Sequence, residues 1–412
     1  MNRLILTLAL AAPAAFAAAT DAAAQSATAL RPVSALLAKA KTLTGATARV
    51  PLAPGDTKPN FVRALALTPK AAEPMEQLFD AIVYRGAIQP EVKLAMALRI
   101  AQIYDSPYLA VHANRLMLAT DNGKALAATL AKTIVRPASA EEMAISYADK
   151  LTRGIHAVSD EDFRLIRTRF NDSQIVELTT TTCFFNYLVR FVEATHLPVE
   201  PWALTPAAAA KSKVTLPLAR IGLISDEEML AVQARLKAAP ANNWNIGFAN
   251  SMRAMYRSPA AASAWFAYGT ATREYTAVDR PLKLHISFAV SMANGCRYCS
   301  LHQVLGLRRE GVDINKLVAM AKDDSQLTPR ERTATVFARK LTNSPAGITD
   351  EDYAAIRKEF GEQGALEVVQ QTANFAYMNR FTDGLRLPSE DEAVNVYKET
   401  YGKSFSEVTN SK

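Results

Sequence analysis

Residues 294–302 read Asn-Gly-Cys-Arg-Tyr-Cys-Ser-Leu-His and hold two of the three cysteines of the chain. An apolar run, 282–293, precedes them, and the Asn-Gly dipeptide is a typical helix stop, because glycine adopts the left-handed cap conformation at no steric cost. Cys296 would then open the next helix, where backbone N–H groups and the helix dipole stabilise a thiolate. Residues three apart in a helix are neighbours, so we expect Cys296 beside Cys299 and Cys299 beside His302. The stretch predicts a thiol pair that can close a disulfide within one helical turn.

The composition is that of a globular protein with ample buried core. The chain has 412 residues, of which 49% are hydrophobic and 21% charged. The formal net charge is +7, but basic and acidic residues are interspersed, as in Arg308-Arg309-Glu310. No basic stripe with interleaved aromatic residues is present, so we expect no nucleic-acid partner.

The N-terminus has the pattern of a secretory signal peptide. Arg3 supplies the positive charge, residues 4–19 the apolar run, and small residues offer cleavage after Ala19 or Ala24. No later run is apolar enough to span a bilayer. We therefore expect a periplasmic or secreted protein with no membrane span, in a compartment where a Cys-x-x-Cys disulfide can persist.

A sequence motif recurs at a constant spacing. Asn60 and Asn250, like His112 and His302, are 190 residues apart. Further pairs at the same spacing include Lys93 and Lys283, Tyr108 and Tyr298, Lys150 and Lys340, Asp162 and Asp352, and Pro198 and Pro388. A constant register over this length predicts a duplicated unit without insertions.

Both units have helical patterns. Residues 350–360 follow a Thr349 cap and carry acidic residues in the first turn, and residues 365–381 form a second predicted helix. Residues 159–170 and 174–191 repeat this pattern in the first unit. The predicted organisation is a signal peptide at 1–24, a linker with a short helix at 25–58, a first unit at 59–205, a linker with one helix (225–238) at 206–245, a second unit at 246–392 and a tail at 393–412.

The two units differ where chemistry is expected. Cys296 aligns with Ser106 and Cys299 with Leu109, so the first unit is a degenerate copy without the cysteine pair. The third cysteine, Cys183, lies in an apolar segment and is predicted to be an inert buried thiol.

With this arrangement in view, the second unit resembles the carboxymuconolactone decarboxylase and alkylhydroperoxidase D superfamily, in its thiol-containing branch. The resemblance rests on residues 282–313: an apolar helix, Asn-Gly, Cys-Arg-Tyr-Cys, a histidine and a Gly-Val end. It implies an all-α fold of two tandem alkylhydroperoxidase D-like helical bundles, and a homo-oligomer. It also implies reduction of hydroperoxides or disulfides, with Cys299 forming the sulfenic acid and Cys296 as proton donor and resolving thiol.

Two positions depart from the family pattern. The peroxidase members carry a glutamate twelve residues before the first cysteine, where this chain has Leu284. The next residue, His285, lies eleven residues before Cys296, and at about 100° per residue this spacing returns to nearly the same helix face. The family histidine follows the second cysteine by four residues, where this chain has Gln303, and His302 falls one position earlier. His302 and His285 are therefore the candidate proton carriers.

Several alternatives stay open. A structural zinc site needs four ligands and no second Cys-x-x-Cys or histidine pair is near, while haem attachment needs a histidine where Ser300 stands, so we expect no cofactor. The expected partners are a small peroxide or disulfide and a thiol electron donor that the sequence does not name. A lactone decarboxylase-like lyase, which needs no cysteine pair, and a non-enzymatic binding or assembly module are the other two readings.

Overall fold

The computed structural model describes residues 30–131, 134, 136–207, 249–321 and 324–405. Within these residues every regular element is a helix, which confirms the predicted all-α class. The predicted signal peptide at 1–24 and the predicted helix at 225–238 lie outside the described residues.

The helices of the first half are α1 (Val33–Thr42), α2 (Asn60–Arg63), α3 (Ala72–Tyr84), α4 (Pro90–Tyr104), α5 (Pro107–Leu118), α6 (Gly123–Leu130), α7 (Ala140–Arg153), α8 (Asp160–Ile166) and α9 (Asp172–Thr195). Those of the second half are α10 (Asn250–Met255), α11 (Pro259–Arg273), α12 (Arg280–Asn294), α13 (Arg297–Arg309), α14 (Ile314–Met320), α15 (Pro329–Asn343), α16 (Asp350–Gly384) and α17 (Asp391–Tyr401). Short 3₁₀ turns occupy Ala64–Leu67, Pro69–Ala71, Pro201–Leu204 and Pro345–Gly347.

Helix α16 begins where the sequence predicts. The Thr349 side chain accepts from the backbone N–H of Asp352, and the Asp352 side chain accepts from the backbone N–H of Thr349 at 2.8 Å. This reciprocal capping box satisfies two donors that a helix start leaves unpaired. Gly361, at φ 71°, interrupts α16, and the equivalent Asn171 caps α9 after a complete break. The two helices predicted for each unit are thus present.

The halves share one hydrophobic core. Helices α9 and α16 pack along each other at the centre and make the most extensive contact between elements. Buried residues of both halves belong to a single apolar cluster. The two halves therefore pack against each other through a common core.

Buried ion pairs recur in the two halves. In the second half, Lys283 Nζ lies 2.9 Å from Glu367, whose carboxylate also accepts from two backbone N–H groups of the preceding loop. In the first half, Lys93 and Glu177 form the same pair, again with two loop N–H groups. These contacts support the duplication, whereas a common origin of the halves stays a prediction.

An arginine pair joins the halves. Arg190 of α9 donates to the carbonyl of Thr342 at 2.8 Å, and Arg380 of α16 donates to the carbonyl of Thr152 at 3.1 Å. Both guanidinium groups also donate to Tyr104 Oη at 3.0 Å. Burial alone would raise the pKa of Tyr104, but the two cations outweigh it and lower that pKa. Tyr104 therefore partly compensates two buried positive charges.

The flanking segments pack on the core as well. Leu36, Ala40 and Val50 are buried in the common cluster, so the described part of 25–58 is folded against the first half. At the other end, α17 packs on α13 and buries Ala393 and Tyr397. The segment after residue 392 therefore helps to hold the helix that carries the cysteines.

Candidate functional site

The cysteine pair lies at the junction of α12 and α13. Helix α12 ends at Asn294, and Gly295 adopts the left-handed conformation at φ 70°, as the Asn-Gly signal predicts. The backbone N–H of Cys296 donates to the carbonyl of Ser291 at 2.8 Å. Cys296 is then the N-cap of α13, and its sulfur accepts from the backbone N–H of Cys299 at 3.3 Å. The predicted placement of both cysteines within one turn is present.

The two thiols share a hydroxyl group on α16. Thr382 Oγ1 lies 3.5 Å from the sulfur of Cys296 and 3.5 Å from that of Cys299. The same hydroxyl lies 3.0 Å from the carbonyl of Met378, one turn earlier in α16. A hydroxyl holds one proton and two lone pairs, so it can accept from a thiol or donate to a thiolate. Thr382 is therefore placed to stabilise either state of the pair.

A buried carboxyl group faces the first cysteine. The Cys296 thiol donates to Asp383 Oδ1 at 3.5 Å, and the backbone N–H of Arg297 donates to Asp383 Oδ2 at 3.2 Å. Burial raises the pKa of Asp383, although a nearby imidazole and these hydrogen bonds act in the opposite direction. A carboxyl group with a raised pKa is a stronger proton acceptor than an exposed one.

Burial also decides the ionisation of Cys296. The Cys296 side chain is 0% exposed and that of Cys299 3%. Desolvation, followed by the contact with Cys299 and the charge of Asp383, raises the pKa of Cys296 well above its usual value. Burial beside a carboxyl group thus outweighs the helix dipole, which by itself would stabilise the thiolate of Cys296. These surroundings favour the protonated thiol at Cys296.

A histidine of the first half lies at the same site. His156 follows α7, and its Nε2 lies 3.1 Å from the carbonyl of Gly295 and 3.7 Å from Asp383 Oδ2. Its neighbour Ile155 is buried against Cys296 and Cys299. The sequence predicts no partner for His156, since nothing in the chain order links it to the second half.

The structure places the predicted proton carrier His302 against a glutamate. Its Nδ1 lies 2.7 Å from the carbonyl of Tyr298, its Nε2 lies 2.7 Å from Glu390 Oε2, and its ring stacks on that of Tyr298. Both ring nitrogens thus face oxygen atoms of Tyr298 and Glu390. In the first half, which lacks the Cys-x-x-Cys pair, His112 Nε2 lies 2.8 Å from Glu200 in the same manner. This arrangement belongs to the scaffold of both halves.

The second candidate, His285, lies at the other end of α12. The neighbouring side chain, Leu284, packs against Gly306 near the end of α13, which runs antiparallel to α12. His285 therefore lies at the level of Gly306 along the helix axis. At 1.5 Å per residue, this level is about 10 Å along the axis from Cys299. The Nδ1 of His285 lies 3.2 Å from Glu331, and burial lowers the pKa of His285 despite that carboxylate. The structure does not bring His285 to the thiols.

The third cysteine, Cys183, lies outside the dithiol site. It lies on α9, is 0% exposed, and burial raises its pKa far above the usual value. It is in the common apolar core, as the sequence predicts.

Sequence reasoning missed Thr382, Asp383 and His156. One signal was available: Asp383 and Glu193 are 190 residues apart, so an acidic residue recurs at the spacing that relates the two halves. Glu193 accepts a hydrogen bond from Ser106 Oγ, the counterpart of Cys296. A carboxyl group facing the N-cap is thus common to the two halves.

Within the described residues, no cluster of three or more His, Cys, Asp or Glu side chains is placed to hold a metal ion. Among the same residues, no helix combines the length and the apolar character needed to cross a bilayer.

Fold and site together define an all-helical protein with a buried dithiol at a helix N-terminus. Residues 259–340, from the start of α11 into α15, match the model of the Carboxymuconolactone decarboxylase family. This match confirms the resemblance for the segment that carries both cysteines. Thr382, Asp383 and His156 lie outside it. A comparison with curated proteins finds no match.

Proposed function

We propose that this protein is a thiol-dependent oxidoreductase that reduces small hydroperoxides or disulfides by oxidising Cys296 and Cys299 to a disulfide. The observation that carries the proposal is the contact of both sulfurs with Thr382 and of Cys296 with a buried carboxyl group. A dithiol with its own proton acceptor is suited to redox chemistry, whereas a packing cysteine such as Cys183 has no such surroundings.

In the first step, Cys299 attacks as the thiolate. Attack on a hydroperoxide ROOH breaks the O–O bond, forms the sulfenic acid of Cys299 and releases RO⁻, which takes up the proton that Cys299 gave up. Thr382 Oγ1, 3.5 Å from the sulfur, can turn its proton from the Met378 carbonyl toward the thiolate. The assignment of Cys299 as the attacking thiol follows the family resemblance and suits the protonated state of Cys296.

In the second step, Cys296 resolves the sulfenic acid. Asp383 accepts the Cys296 proton, and the new thiolate attacks the sulfur of Cys299 and breaks its S–O bond. The hydroxide that leaves takes up one proton to become water, which balances the proton that Asp383 then gives up. The sum is two thiols and ROOH converted into a disulfide, ROH and water. A thiol reductant, such as dithiothreitol in the test tube, returns the disulfide to the dithiol.

The surroundings of the pair favour a small oxidant. The thiols are nearly inaccessible and lie in an apolar cluster with Ile155, Tyr298, Phe375, Met378 and Leu387. A hydroperoxide or a low-molecular-weight disulfide needs far less opening than a protein disulfide. Export, which the N-terminal segment predicts, would put this chemistry in an oxidising compartment.

The test is consumption of hydrogen peroxide, cumene hydroperoxide and oxidised glutathione by the purified protein with dithiothreitol as reductant. Mass spectrometry of the oxidised protein should locate one disulfide, between Cys296 and Cys299. Turnover should disappear in Cys299→Ser and in Cys296→Ser.

The control is Cys183→Ser, which changes a buried thiol outside the site and should keep full turnover. If no oxidant closes the 296–299 disulfide, or if Cys183→Ser alone removes turnover, the proposed function is wrong.

A further inference from the structure

We propose that the first half of the chain completes the dithiol site by supplying His156, which exchanges the Cys296 proton between Asp383 and solvent. This inference rests on the proposed redox function and deepens it. It assigns a role to the half that lacks the Cys-x-x-Cys pair.

The starting point is that the Cys296 proton has no direct way out. Cys296 is 0% exposed, and the acceptor of its hydrogen bond, Asp383, has a side chain only 9% exposed. A carboxyl group that accepts a proton once per turnover must release it before the next one. A group that touches both Asp383 and water would speed this release.

His156 makes both of these contacts. Its Nε2 lies 3.7 Å from Asp383 Oδ2, while Oδ1 of the same carboxyl group accepts from Cys296. The imidazole is 65% exposed, so its remaining surface is in water. An imidazole exchanges protons with water readily near neutral pH. The atoms therefore line up in the order thiol, carboxyl, imidazole, solvent.

The other charged groups around Asp383 leave this route intact. Arg297 contributes its backbone N–H to Oδ2. The nearby ion pair between Arg386 and Asp160 is largely exposed and self-neutralising. Of these groups, His156 is the one whose charge acts on the pKa of Asp383.

The repeat provides an internal comparison. Ala346 stands 190 residues after His156, so the second half offers only a methyl group to the equivalent place in the first half. A cavity of about 220 Å³ opens there, lined among others by Asp105 and Ala346. At the corresponding place of the second half, Gly295 is the counterpart of Asp105, and His156 of the first half lies against it. The halves thus differ in opposite ways: the second half has the cysteine pair and the first half has the histidine.

The experiment separates proton exchange from a purely structural role. In His156→Gln, the side-chain amide can still donate to the carbonyl of Gly295, but it cannot carry a proton at neutral pH. The rate of closure of the 296–299 disulfide is measured by rapid quench after a pulse of hydrogen peroxide. We expect this rate to fall by about tenfold or more in His156→Gln. Added imidazole should restore the rate in His156→Ala, where there is room for it.

The matched control is Ala346→His, which puts an imidazole at the equivalent place of the first half. It should leave the rate of disulfide closure unchanged, because no thiol lies there.

The outcomes are distinguishable from failure of the proposed function. If the wild-type protein never closes the disulfide, the redox function fails. If the wild-type protein closes it and His156→Gln does so at the same rate and with the same pH profile, the role of His156 is refuted while the redox function stands. Slowing in His156→Gln without rescue of His156→Ala by imidazole would also refute proton exchange and indicate positioning alone.

Discussion

The two halves of this chain use the same local scaffold for different ends. In each half, a polar side chain caps a helix and contacts a buried carboxyl group: Ser106 with Glu193 in the first half, Cys296 with Asp383 in the second. Burial raises the pKa of Glu193 to about 7 and also raises that of Asp383. A hydroxyl group does not ionise in this range, whereas a thiol beside a proton acceptor can.

The comparison separates features of the common scaffold from features that serve the proposed reaction. A His–Glu pair occurs in both halves, as His112–Glu200 and as His302–Glu390, and the first half lacks the Cys-x-x-Cys pair, so the His–Glu pair is part of the scaffold. The thiols of the second half and His156 have no counterpart in the other half. We assign to the reaction these features without a counterpart, together with the carboxyl group of Asp383, which faces a thiol only in the second half.

The largest effect is expected from the carboxyl group of the second half. Asp383→Asn removes the proton acceptor of Cys296 and should lower turnover about 100-fold. Because the pKa of Asp383 is raised, its charged form destabilises the fold above that pKa, so Asp383→Asn should raise the melting temperature at neutral pH. The wild-type rate should fall as pH drops through the raised pKa of Asp383, and the variant should lack this limb.

The counterpart Glu193→Gln should leave turnover unchanged, since no thiol faces it. Equal losses of turnover in Asp383→Asn and Glu193→Gln would break the distinction between an active and a silent half.

The next effect concerns the contact between the halves. Tyr104→Phe removes the oxygen that accepts from Arg190 and Arg380 and should lower the free energy of unfolding by about 2–3 kcal/mol. The folded-state pKa of Tyr104 is lowered, so ionisation adds stability as pH rises toward 10, and the difference between wild type and variant should grow over that range. Urea unfolding at pH 7 and pH 9 measures it, and a difference that shrinks with pH would contradict the prediction.

A smaller and symmetric effect is expected for the scaffold histidines. His302→Gln and His112→Gln should each cost about 2 kcal/mol, because each leaves a partly buried glutamate with a weaker partner. Burial would raise the pKa of Glu390, but the hydrogen bond from His302 lowers it, so the stabilisation is complete above the usual glutamate pKa and is lost at acid pH. Chemical denaturation at pH 7 and pH 4 tests this.

Turnover per folded molecule should be the same in both histidine variants. A loss confined to His302→Gln would instead support the role in proton transfer that the sequence suggests for His302.

The smallest effect is expected at the turn before the cysteines. Gly295→Ala places a side chain at φ 70° and should cost about 1 kcal/mol. A Cβ there would lie 3.7 Å from His156 Nε2, an ordinary contact, so the cost is conformational. The control is Lys398→Ala, at an exposed helical site. A loss of several kcal/mol of unfolding free energy in Gly295→Ala would show that the His156 contact is disturbed as well.

The sequence by itself determined the features that depend on short stretches of backbone. The end of α12 at Asn294, the start of α13 after Cys296 and the capping of α16 by Thr349 follow from rules that act within one turn. The proximity of the two cysteines follows from the same geometry.

The tertiary structure decided what lies opposite those features. Asp383 is 87 residues from Cys296, and His156 is 139 residues from Gly295 and in the other half. Helical phase gives the face on which a side chain lies, but the helix that covers that face depends on packing of the whole core. This is why His302 is directed to Glu390, why His285 is remote from the thiols, and why burial reverses the expected acidity of Cys296.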